Sequence, residues 1–274
     1  MLIIKDIYNL HTYLKAYRDK GYSIGYVPTM GALHEGHGSL IAKSQNDNQK
    51  TIISIFINEK QFNDVQDFEA YPRNKGDDYN FCEKHNVDII FEPSSEEIYP
   101  KEYKFIQNSH FKNILCDQYR PGHFDGVVTV LNRLFSIIES DKVYFGEKDF
   151  QQLKIVEKLI IDNFPDLKLV PVSTVRSAEG IALSSRNIKL SKKQLTDFIS
   201  FQKEVIQFIS HLDKKTNLIE ANKKADEFIK SYEKFDYFEF RNASNLSLEG
   251  SLLEARLFYA IYKSGVRLID NLEI

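Results

Sequence analysis

The chain has 274 residues, of which 42% are hydrophobic and 27% are charged, enough to bury one large core or two modest ones. Its formal net charge of -3 gives no general attraction to nucleic acid or anionic lipid. Only Cys82 and Cys116 are present, which excludes a disulfide framework and a four-cysteine metal cluster. The start of the chain lacks a secretory-signal pattern, and no apolar run approaches membrane-spanning length. We therefore expect a cytoplasmic globular protein with no nucleic-acid or membrane partner.

Short apolar or β-branched runs alternate with longer segments of helical character through the first two thirds of the chain. The predicted strands are residues 23–27, 51–57, 87–91, 142–145 and 169–175. The predicted helices between them are residues 38–49, 77–86, 127–138 and 150–163. Buried parallel strands have this composition. The alternation predicts an α/β fold, a Rossmann-like doubly wound parallel sheet.

The pattern changes after about residue 175. Residues 191–230 have the character of two helices, and candidate strands follow at residues 237–241 and 257–262. This indicates a smaller α+β C-terminal domain. We predict a first domain at residues 1–175 and a second at residues 176–274, and no Pro/Gly/Ser-rich linker marks the division.

The first segment with chemical potential, residues 28–40, follows a predicted strand and opens a helix. Free N–H groups and the helix dipole at such a helix start favour phosphate, and glycines let the backbone approach a ligand closely. His34 and His37 are three residues apart and could project to the same side. The alternative is a glycine-rich turn with two surface histidines. A metal site is disfavoured, because zinc-binding helices place histidines four residues apart.

Two further segments carry groups suited to phosphate. Residues 145–153 include Lys148, a point charge for phosphate, and glutamines that can hold a carboxylate or hydroxyl. Residues 176–187 gather two arginines, two adjacent serines and a glycine, a set that can clamp a triphosphate. The alternatives are that Asp149 only caps a helix, that Gln152 is a surface residue and that residues 176–187 form a solvated loop.

Weaker signals lie at residues 56–62 and 120–127. Most of these clusters follow predicted parallel strands, and the carboxyl ends of such strands form the crevice where open α/β sheets bind ligands. The agreement of several segments carries more weight than any one of them. We expect no site residue beyond about Asn187.

Six motifs, in this order, make the chain resemble the pantoate–β-alanine ligase family. They are PTMGALHEGH at 28–37, FINEKQF at 56–62, YPR at 71–73, RPGHFDGVVTV at 120–130, FGEKDFQQL at 145–153 and LSSRN at 183–187. In this family the HxGH and SSR sequences are variants of signatures shared with class I aminoacyl-tRNA synthetases and other nucleotidylyltransferases. The resemblance implies that ATP and Mg²⁺ convert pantoate to pantoyl-adenylate and pyrophosphate, after which β-alanine displaces AMP to give pantothenate.

The resemblance also assigns residues by their matching positions. It gives catalytic roles to His34, His37, Lys148 and Arg186, with His37 as the proton donor. The implied ATP site consists of Met30, Gly31, Ala32, Leu33, His34, Glu35, Gly36, His37, Gly146, Glu147, Lys148, Asp149, Val175, Leu183, Ser184, Ser185 and Arg186. Gln61 and Gln152 would hold pantoate, and residues 59–67 are the candidate lid. A homodimer is implied, the second domain would cover the site, and the Mg²⁺ ligands are unknown.

Three positions depart from the family pattern. Glu59 stands where a proline is usual, Gly38 stands where a larger apolar residue is usual, and the segment between Phe62 and Tyr71 is shorter. These departures bear on the shape of the loop that carries Gln61. Two rival functions stay open: a nucleotidylyltransferase that leaves AMP on its product, and a nucleotide-binding regulatory protein without turnover. Amine-dependent release of free AMP would exclude the first, and pyrophosphate release would exclude the second.

Overall fold

Strands and helices alternate through the first 172 residues of the computed structural model, which describes residues 1–187, 190–232, 234–263 and 265–274. Among these residues, six parallel strands form one sheet in the order β1-β4-β3-β2-β5-β6. The strands are β1 Leu2–Ile4, β2 Ile24–Thr29, β3 Lys50–Ile55, β4 Ile89–Phe91, β5 Lys142–Gly146 and β6 Lys168–Val172. The predicted doubly wound α/β sheet is confirmed.

Helices connect these strands. They are α1 Ile7–Asp19, α2 Glu35–Asp47, α3 Val65–Glu69, α4 Lys75–Lys84, α5 Ser95–Ile98, α6 Leu115–Tyr119, α7 His123–Ile138 and α8 Phe150–Asn163. Short 3-10 turns lie at Glu59–Gln61 and Glu147–Asp149. The four predicted helices are present with shifted ends, whereas β1 and α1 were not predicted. Helix α1 is fixed by its buried Leu10 and Leu14 and by Asp6, whose side chain accepts from the backbone N–H of Asn9.

Helix α2 packs closely on β2, and the sequence provides for this at Gly25. A Cβ atom at residue 25 would lie 2.1 Å from Oγ of Ser44 on α2, so only glycine allows this approach. Strand β2 pairs with β3 on one side and β5 on the other. The order of the strands reverses at this point, so the carboxyl ends of β2 and β5 flank the crevice where such sheets bind ligands.

The last hundred residues form a second layered structure. Helices α9 Lys192–Ser210 and α10 Leu218–Ile229 precede an antiparallel sheet in the order β7-β8-β9. Its strands are β7 Phe235–Asn242, β8 Ala255–Lys263 and β9 Val266–Glu273. Phe201, Val205, Phe240 and Tyr259 belong to its apolar core. The predicted α+β character is confirmed, and β9 is an additional strand.

The chain divides into two compact units. The first contains residues 1–112, 120–147 and 152–173, and the second contains residues 113–119, 148–151 and 174–274. The predicted domains at 1–175 and 176–274 stay a prediction. None of the helices in the described residues is long and apolar enough to cross a membrane.

Candidate active site

The histidine loop, residues 29–37, joins β2 to α2. His34 is the N-cap of α2, and its Nδ1 accepts from the backbone N–H of Gly36 at 3.1 Å. Nδ1 of His37 accepts from the backbone N–H of His34 at 3.2 Å, which completes a capping box built from two imidazoles. The ring centroids lie 4.2 Å apart. The prediction that the two histidines project to the same side is confirmed.

This geometry determines the tautomer of both rings. A backbone N–H can only donate, so Nδ1 of each ring is an acceptor. A neutral imidazole then carries its proton on Nε2. Both His34 and His37 therefore present an Nε2–H donor at the positive end of the α2 dipole. Two donors at a helix N-terminus suit an anionic ligand such as phosphate.

Gly36 is required by the ring of His34. A Cβ atom at residue 36 would lie 2.7 Å from Cε1 and 2.9 Å from Nδ1 of that ring. These separations are shorter than van der Waals contact, so any larger residue would displace the imidazole. The glycine of the HxGH motif therefore has a steric role beside the two histidines.

Asp78 on α4 holds the first half of the histidine loop. Its carboxylate accepts from the backbone N–H of Leu33 at 2.8 Å and from that of Ala32 at 3.1 Å. Gly31 and Ala32 have positive φ angles of 81° and 52°, and a Cβ at Gly31 would lie 2.8 Å from Oδ2 of Asp78. Asp78 is only 4% exposed. Burial raises the pKa of its carboxyl above the ordinary value, against the opposing effect of the two N–H donors.

The expectation of free backbone N–H groups in this loop is wrong for most of it. Within the described residues, Ala32 and Leu33 donate to Asp78, and Gly31 donates to Oγ1 of Thr29 at 3.2 Å. The N–H groups at 34, 36 and 37 also donate within the loop. The side chains already satisfy the turn, so the imidazoles rather than these amides are the groups that can meet an anion.

Gln61 lies beside the histidine loop. Its Nε2 is 3.0 Å from Sδ of Met30, and its Oε1 accepts from Nδ2 of Asn58 at 3.1 Å. Asn58 also donates to the carbonyl of Gly126 at 3.0 Å and accepts from the hydroxyl of Tyr99 at 2.7 Å. The structure therefore brings together Gln61 and Met30, two candidate residues from separate motifs, and Asn58 fixes the Gln61 amide.

The RPGHFDG motif positions the backbone of Gln61. Nη1 of Arg120 donates to Nε2 of His123 at 2.9 Å, so the His123 proton lies on Nδ1, which donates to the carbonyl of Gln61 at 2.7 Å. Gly126 on α7 packs directly on this segment, because a Cβ there would lie 2.3 Å from the carbonyl oxygen of Lys60. The weak sequence signal at 120–127 is thus explained by support of the Gln61 turn.

The departures at Glu59 and before Tyr71 leave this turn intact. Glu59 begins the 3-10 turn Glu59–Gln61, and Oδ1 of Asn58 accepts from the N–H of Lys60. The first position of a helical turn favours proline, and the start of the turn also favours an acidic residue. In the shortened segment, the ring of Phe62 lies 5.4 Å from that of Phe68 and 5.7 Å from that of Tyr71. This cluster closes the loop without additional residues.

At Gly38 the structure shows what replaces a larger side chain. A Cβ at residue 38 would lie 2.9 Å from Cε1 of His85, the C-cap residue of α4. The His85 ring packs against Phe81 with centroids 4.3 Å apart. His85 therefore occupies the volume that a bulky residue at position 38 would take.

The candidates at 146–152 lie on both sides of the division between the units. Gly146 ends β5, so it lies at the ligand-binding edge of the sheet next to the end of β2, and Glu147 begins the 3-10 turn that follows. In the second unit, Nζ of Lys148 is 3.7 Å from Oδ2 of Asp149, and the Lys148 side chain is largely buried. Gln152 is half-buried in the first turn of α8. No hydrogen bond joins Gln152 to Gln61 among the described residues.

The serine-arginine loop, residues 175–187, belongs to the second unit and folds back on itself. The N–H of Leu183 donates to the carbonyl of Val175 at 3.0 Å, which pairs the two legs. Oγ of Ser184 accepts from the N–H of Arg186 at 3.0 Å and starts the turn that carries Ser185 and Arg186. Ser184, Ser185 and Arg186 are all half-buried. Arg186 can therefore approach an anion from a locally ordered turn.

Arg176 does not fit the proposed triphosphate clamp. Its guanidinium makes a bidentate ion pair with Asp270, at 2.7 and 2.9 Å, and also donates to the carbonyl of Gly180. The prediction of two cations for phosphate in this loop is corrected to one, because Arg176 is already bonded to a carboxylate. Sequence reasoning missed Asp270 and Asp78, which lie outside the six motifs, and it missed Asn58, which lies inside FINEKQF but was given no role.

Among the described residues, no group of three or more His, Cys, Asp or Glu side chains could hold a metal ion. Both cysteines are free and buried. The candidate groups are imidazoles and amides in the first unit, and an ammonium, a guanidinium and hydroxyls in the second. Cationic and hydroxyl groups suit a polyanion, and amides suit a small polar acid.

Comparison with known proteins agrees with this chemistry. Residues 2–273 match the family described as pantoate-beta-alanine ligase. The pantothenate synthetase of Caldicellulosiruptor bescii is 38% identical over 282 residues, covering 100% of this chain and 99% of that protein. The enzyme of the same name from Leptospira biflexa is 40% identical over 286 residues, covering 99% and 98%.

Two solved structures are similar over their whole length. Pantothenate synthetase from Thermus thermophilus has a TM-score of 0.88 at 31% identity and covers 100% of this chain and 99% of that one. Pantoate-beta-alanine ligase from Francisella tularensis, complexed with beta-gamma ATP and beta-alanine, has a TM-score of 0.83 at 33% identity and covers 100% and 97%. The motifs, the sheet and the full-length matches lead to one conclusion: this chain belongs to the pantoate–β-alanine ligase family.

Proposed function

We propose that this chain condenses pantoate with β-alanine to give pantothenate through a pantoyl-adenylate, and that it converts ATP to AMP and pyrophosphate. The family match over residues 2–273 supports the overall reaction. The observation that carries the adenylation step is the imidazole pair at the start of α2. Both rings accept backbone N–H groups at Nδ1, so each neutral ring carries its proton on Nε2, a donor suited to phosphate oxygen.

In the first step, a carboxylate oxygen of pantoate attacks the α-phosphorus in line. A bond forms between that oxygen and phosphorus, the bond to the β-phosphate oxygen breaks, and pyrophosphate leaves. Little covalent chemistry falls to the protein in such a transfer, which depends on positioning and on neutralising charge. His34 and His37 hydrogen-bond the phosphates through Nε2–H, and the hydrogen bond from His37 stabilises the charge that develops on the leaving pyrophosphate.

The second unit supplies further cationic groups for the same step. Lys148 acts as a point charge on the phosphates, and Arg186 binds two oxygens at once through its planar fork. Ser184 and Ser185 add short hydroxyl donors. The remaining ATP contacts come from backbone and side chains at residues 30–36, 146, 147, 149, 175 and 183.

In the second step, the neutral amine of β-alanine attacks the acyl carbon of the adenylate. A carbon–nitrogen bond forms, the bond from carbon to the phosphate oxygen breaks, AMP leaves, and the nitrogen loses a proton. Gln61 and Gln152 hold pantoate through neutral amides, and the fixed amide of Gln61 supports this role. Water would hydrolyse the mixed anhydride, so residues 59–67 act as a lid over the substrate, with the turn that carries Gln61 as its fixed end.

Mg²⁺ enters as part of the ATP substrate. Mg²⁺ on a nucleotide is held by substrate phosphates, water and one or two carboxylates. We also propose that the protein is a cytoplasmic homodimer. Its two free, buried thiols suit a reducing compartment, and light scattering of the purified protein tests the dimer.

The test is release of AMP and pyrophosphate from ATP with pantoate, with and without β-alanine. We expect AMP only when both substrates are present, and we expect His37→Ala to lose at least about 100-fold in rate. His211→Ala is the matched control, because His211 is an exposed C-cap residue of α9 that contacts the carbonyl of Gln207.

Two results would overturn the proposal. If AMP stays attached to the product whatever amine is added, the protein is a nucleotidylyltransferase. If ATP binds without pyrophosphate release, it is a nucleotide-binding protein without turnover. A His37→Ala variant as active as His211→Ala would remove the assigned role of the imidazole pair.

A further inference from the structure

Asp270 and Asn271 are adjacent, buried polar residues on β9. Neighbouring residues of a strand point to opposite faces of the sheet. Asp270 pairs in register with Tyr259, whose ring packs against Phe201 of α9, so it lies on the helix-covered face. Asn271 pairs with Phe258 on the other face. The side chains of these two adjacent residues therefore contact two separate parts of the second unit.

Asp270 fastens the serine-arginine loop. Its carboxylate accepts two hydrogen bonds from Arg176, one from the hydroxyl of Tyr259 at 3.3 Å and one from the N–H of Asn271 at 2.8 Å. Arg176 donates in turn to the carbonyl of Gly180 at the turn of the loop, and it pairs with Ala182 across the loop. The position of the leg that leads into Ser184 thus depends on one carboxylate, whose side chain is 2% exposed.

Asn271 holds the Lys148 turn, which is residues 148–149 of the 3-10 turn before α8. Its Nδ2 donates to the carbonyl of Lys148 at 2.9 Å, and its Oδ1 accepts from Nε of Arg256 at 2.8 Å. The Arg256 guanidinium lies over the ring of Phe150 at 4.4 Å, and that ring lies 5.8 Å from Phe258. The Lys148 turn is therefore held at the backbone carbonyl of Lys148 and, just after the turn, at the ring of Phe150.

A third bond ties the two attachments together. Nη2 of Arg176 donates to the carbonyl of Asn271 at 3.0 Å, so the cation that orders the serine-arginine loop also contacts the residue that orders the Lys148 turn. Adjacent residues of a paired strand cannot move independently by more than a fraction of their spacing. The two segments are therefore fixed relative to each other.

We propose that Asp270 and Asn271 are positioning residues for ATP, which hold the Lys148 turn and the serine-arginine loop in one fixed arrangement. This inference rests on the proposed function, which gives both segments phosphate contacts. Its physical basis is that a cationic site gains most when its groups are held in place before the charge develops. Pure stability is a weaker reason for the pair, because buried ion pairs are often no more stabilising than apolar residues of the same volume.

The test uses Asp270→Asn, Asn271→Asp and the double variant in the full chain. Asn271→Asp keeps an oxygen for Arg256 but loses the donor to Lys148. The matched control is Asp236→Asn, which breaks another buried pair in the same sheet, between Asp236 and Arg267 at 2.6 Å with side-chain exposures of 7% and 11%. For each variant one measures kcat, the KM of ATP and of pantoate, ATP affinity by calorimetry, and Tm.

We expect each single variant to raise the KM and the dissociation constant of ATP by at least about tenfold, with the KM of pantoate changed by less than about twofold. The double variant should lose little more than the worse single variant, because either break alone frees the two segments from each other. Asp236→Asn should lower Tm by a similar amount without the change in ATP affinity.

The proposal is overturned if Asp236→Asn weakens ATP binding as much as the β9 variants do, or if the two losses are fully additive. Equal effects on pantoate and ATP would also contradict it. Failure of the proposed function is a separate result, seen as absence of ligation by the wild-type protein. In that case the calorimetric ATP affinities of the same variants still decide whether Asp270 and Asn271 order a nucleotide site.

Discussion

The histidine loop makes most of its hydrogen bonds to itself and to Asp78, which lies 45 residues after Leu33 in the sequence. The serine-arginine loop is instead held by Asp270, which lies 94 residues after Arg176. In the first loop, part of the support comes from the same imidazoles that we assign to chemistry, and the rest comes from Asp78. In the second loop the support and the chemistry fall to different residues. A short motif can therefore contain reactive groups together with part of their structural support, as in the first loop, or the reactive groups without the residue that supports them, as in the second.

This difference has a practical consequence for mutational studies. Changing almost any residue of the histidine loop alters both its shape and its donors, so the two effects are mixed. The serine-arginine loop can be loosened from β9 without changing Ser184, Ser185 or Arg186. Substitutions at Gly36 and Asp78 test whether support and chemistry are joined in the first loop as closely as its geometry indicates.

The largest effect is expected for Gly36→Ala. The added Cβ meets the His34 ring at 2.7 Å and displaces it from the N-cap. We expect kcat/KM for ATP to fall about 100-fold. The free energy of unfolding should change by less than about 1 kcal/mol, because the lost cap of about 0.5–2 kcal/mol is offset by the preference of helices for alanine over glycine. Steady-state kinetics and urea unfolding measure the two quantities.

His34→Asn is the control for this experiment. Asparagine caps helices well, so this variant should keep the stability of the wild type while losing activity with the imidazole. If Gly36→Ala kept nearly wild-type kcat/KM, the steric role of Gly36 would be refuted.

A smaller effect is expected for Asp78→Asn. Asparagine offers one oxygen to two N–H groups, so part of the support at Ala32 and Leu33 is lost. We expect the KM of ATP to rise about tenfold with little change in the KM of pantoate. Asp77→Asn is the matched control, because Asp77 is exposed and its carboxylate accepts a hydrogen bond from Asn74 of the neighbouring cap rather than from the histidine loop. Equal kinetics of the two variants would show that Asp78 does not order the loop.

The same variant has a pH signature. Burial raises the pKa of Asp78 above the ordinary value of 3.8, so the native state holds this proton more tightly than the unfolded state. Stability contributed by this group therefore falls as pH rises from 3.8 through the higher native pKa. The difference in unfolding free energy between wild type and Asp78→Asn should shrink as pH rises above 3.8. A difference that grew over this range would mean that the carboxylate is stabilised by the fold.

The smallest effect is expected for labelling of the Cys82 thiol, which reports on local opening of α4 in the first unit. Cys82 lies one helical turn after Asp78 in the first unit, and Cys116 lies in the second. Burial raises the pKa of Cys82 to about 12, so only about one thiol in ten thousand is ionised near pH 8. We expect no labelling of native Cys82 by a disulfide reagent within minutes. Rapid labelling of Cys82 in the wild type would mean that α4 opens easily beneath the histidine loop.

The sequence predicted the inner strands of the parallel sheet because their residues are apolar over most of each run. Strand β1 was missed, since three residues are too few to show any period. Strand β9 was missed for a different reason. Its Asp270 and Asn271 are buried by partners from other elements, and polar residues in a short segment indicate a loop unless those partners are known.

The candidate site divides in the same way. The motifs predicted where His34, His37, Lys148 and Arg186 occur, because strand ends and glycine-rich turns can be recognised locally. The support could not be predicted, since nothing local relates Asp78 to Leu33. The assumption of free backbone amides failed because a short polar side chain satisfied them first.

The contact between Gly38 and His85 constrains the order in which this chain can diverge. A larger residue at position 38 would place its Cβ 2.9 Å from the His85 ring and push it off Phe81. A smaller residue at position 85 removes that obstacle, and a bulky apolar residue at position 38 can then fill the vacated space. Relatives of this chain should reach the bulkier form through an intermediate that is small at both positions, because the reverse path passes through a clash.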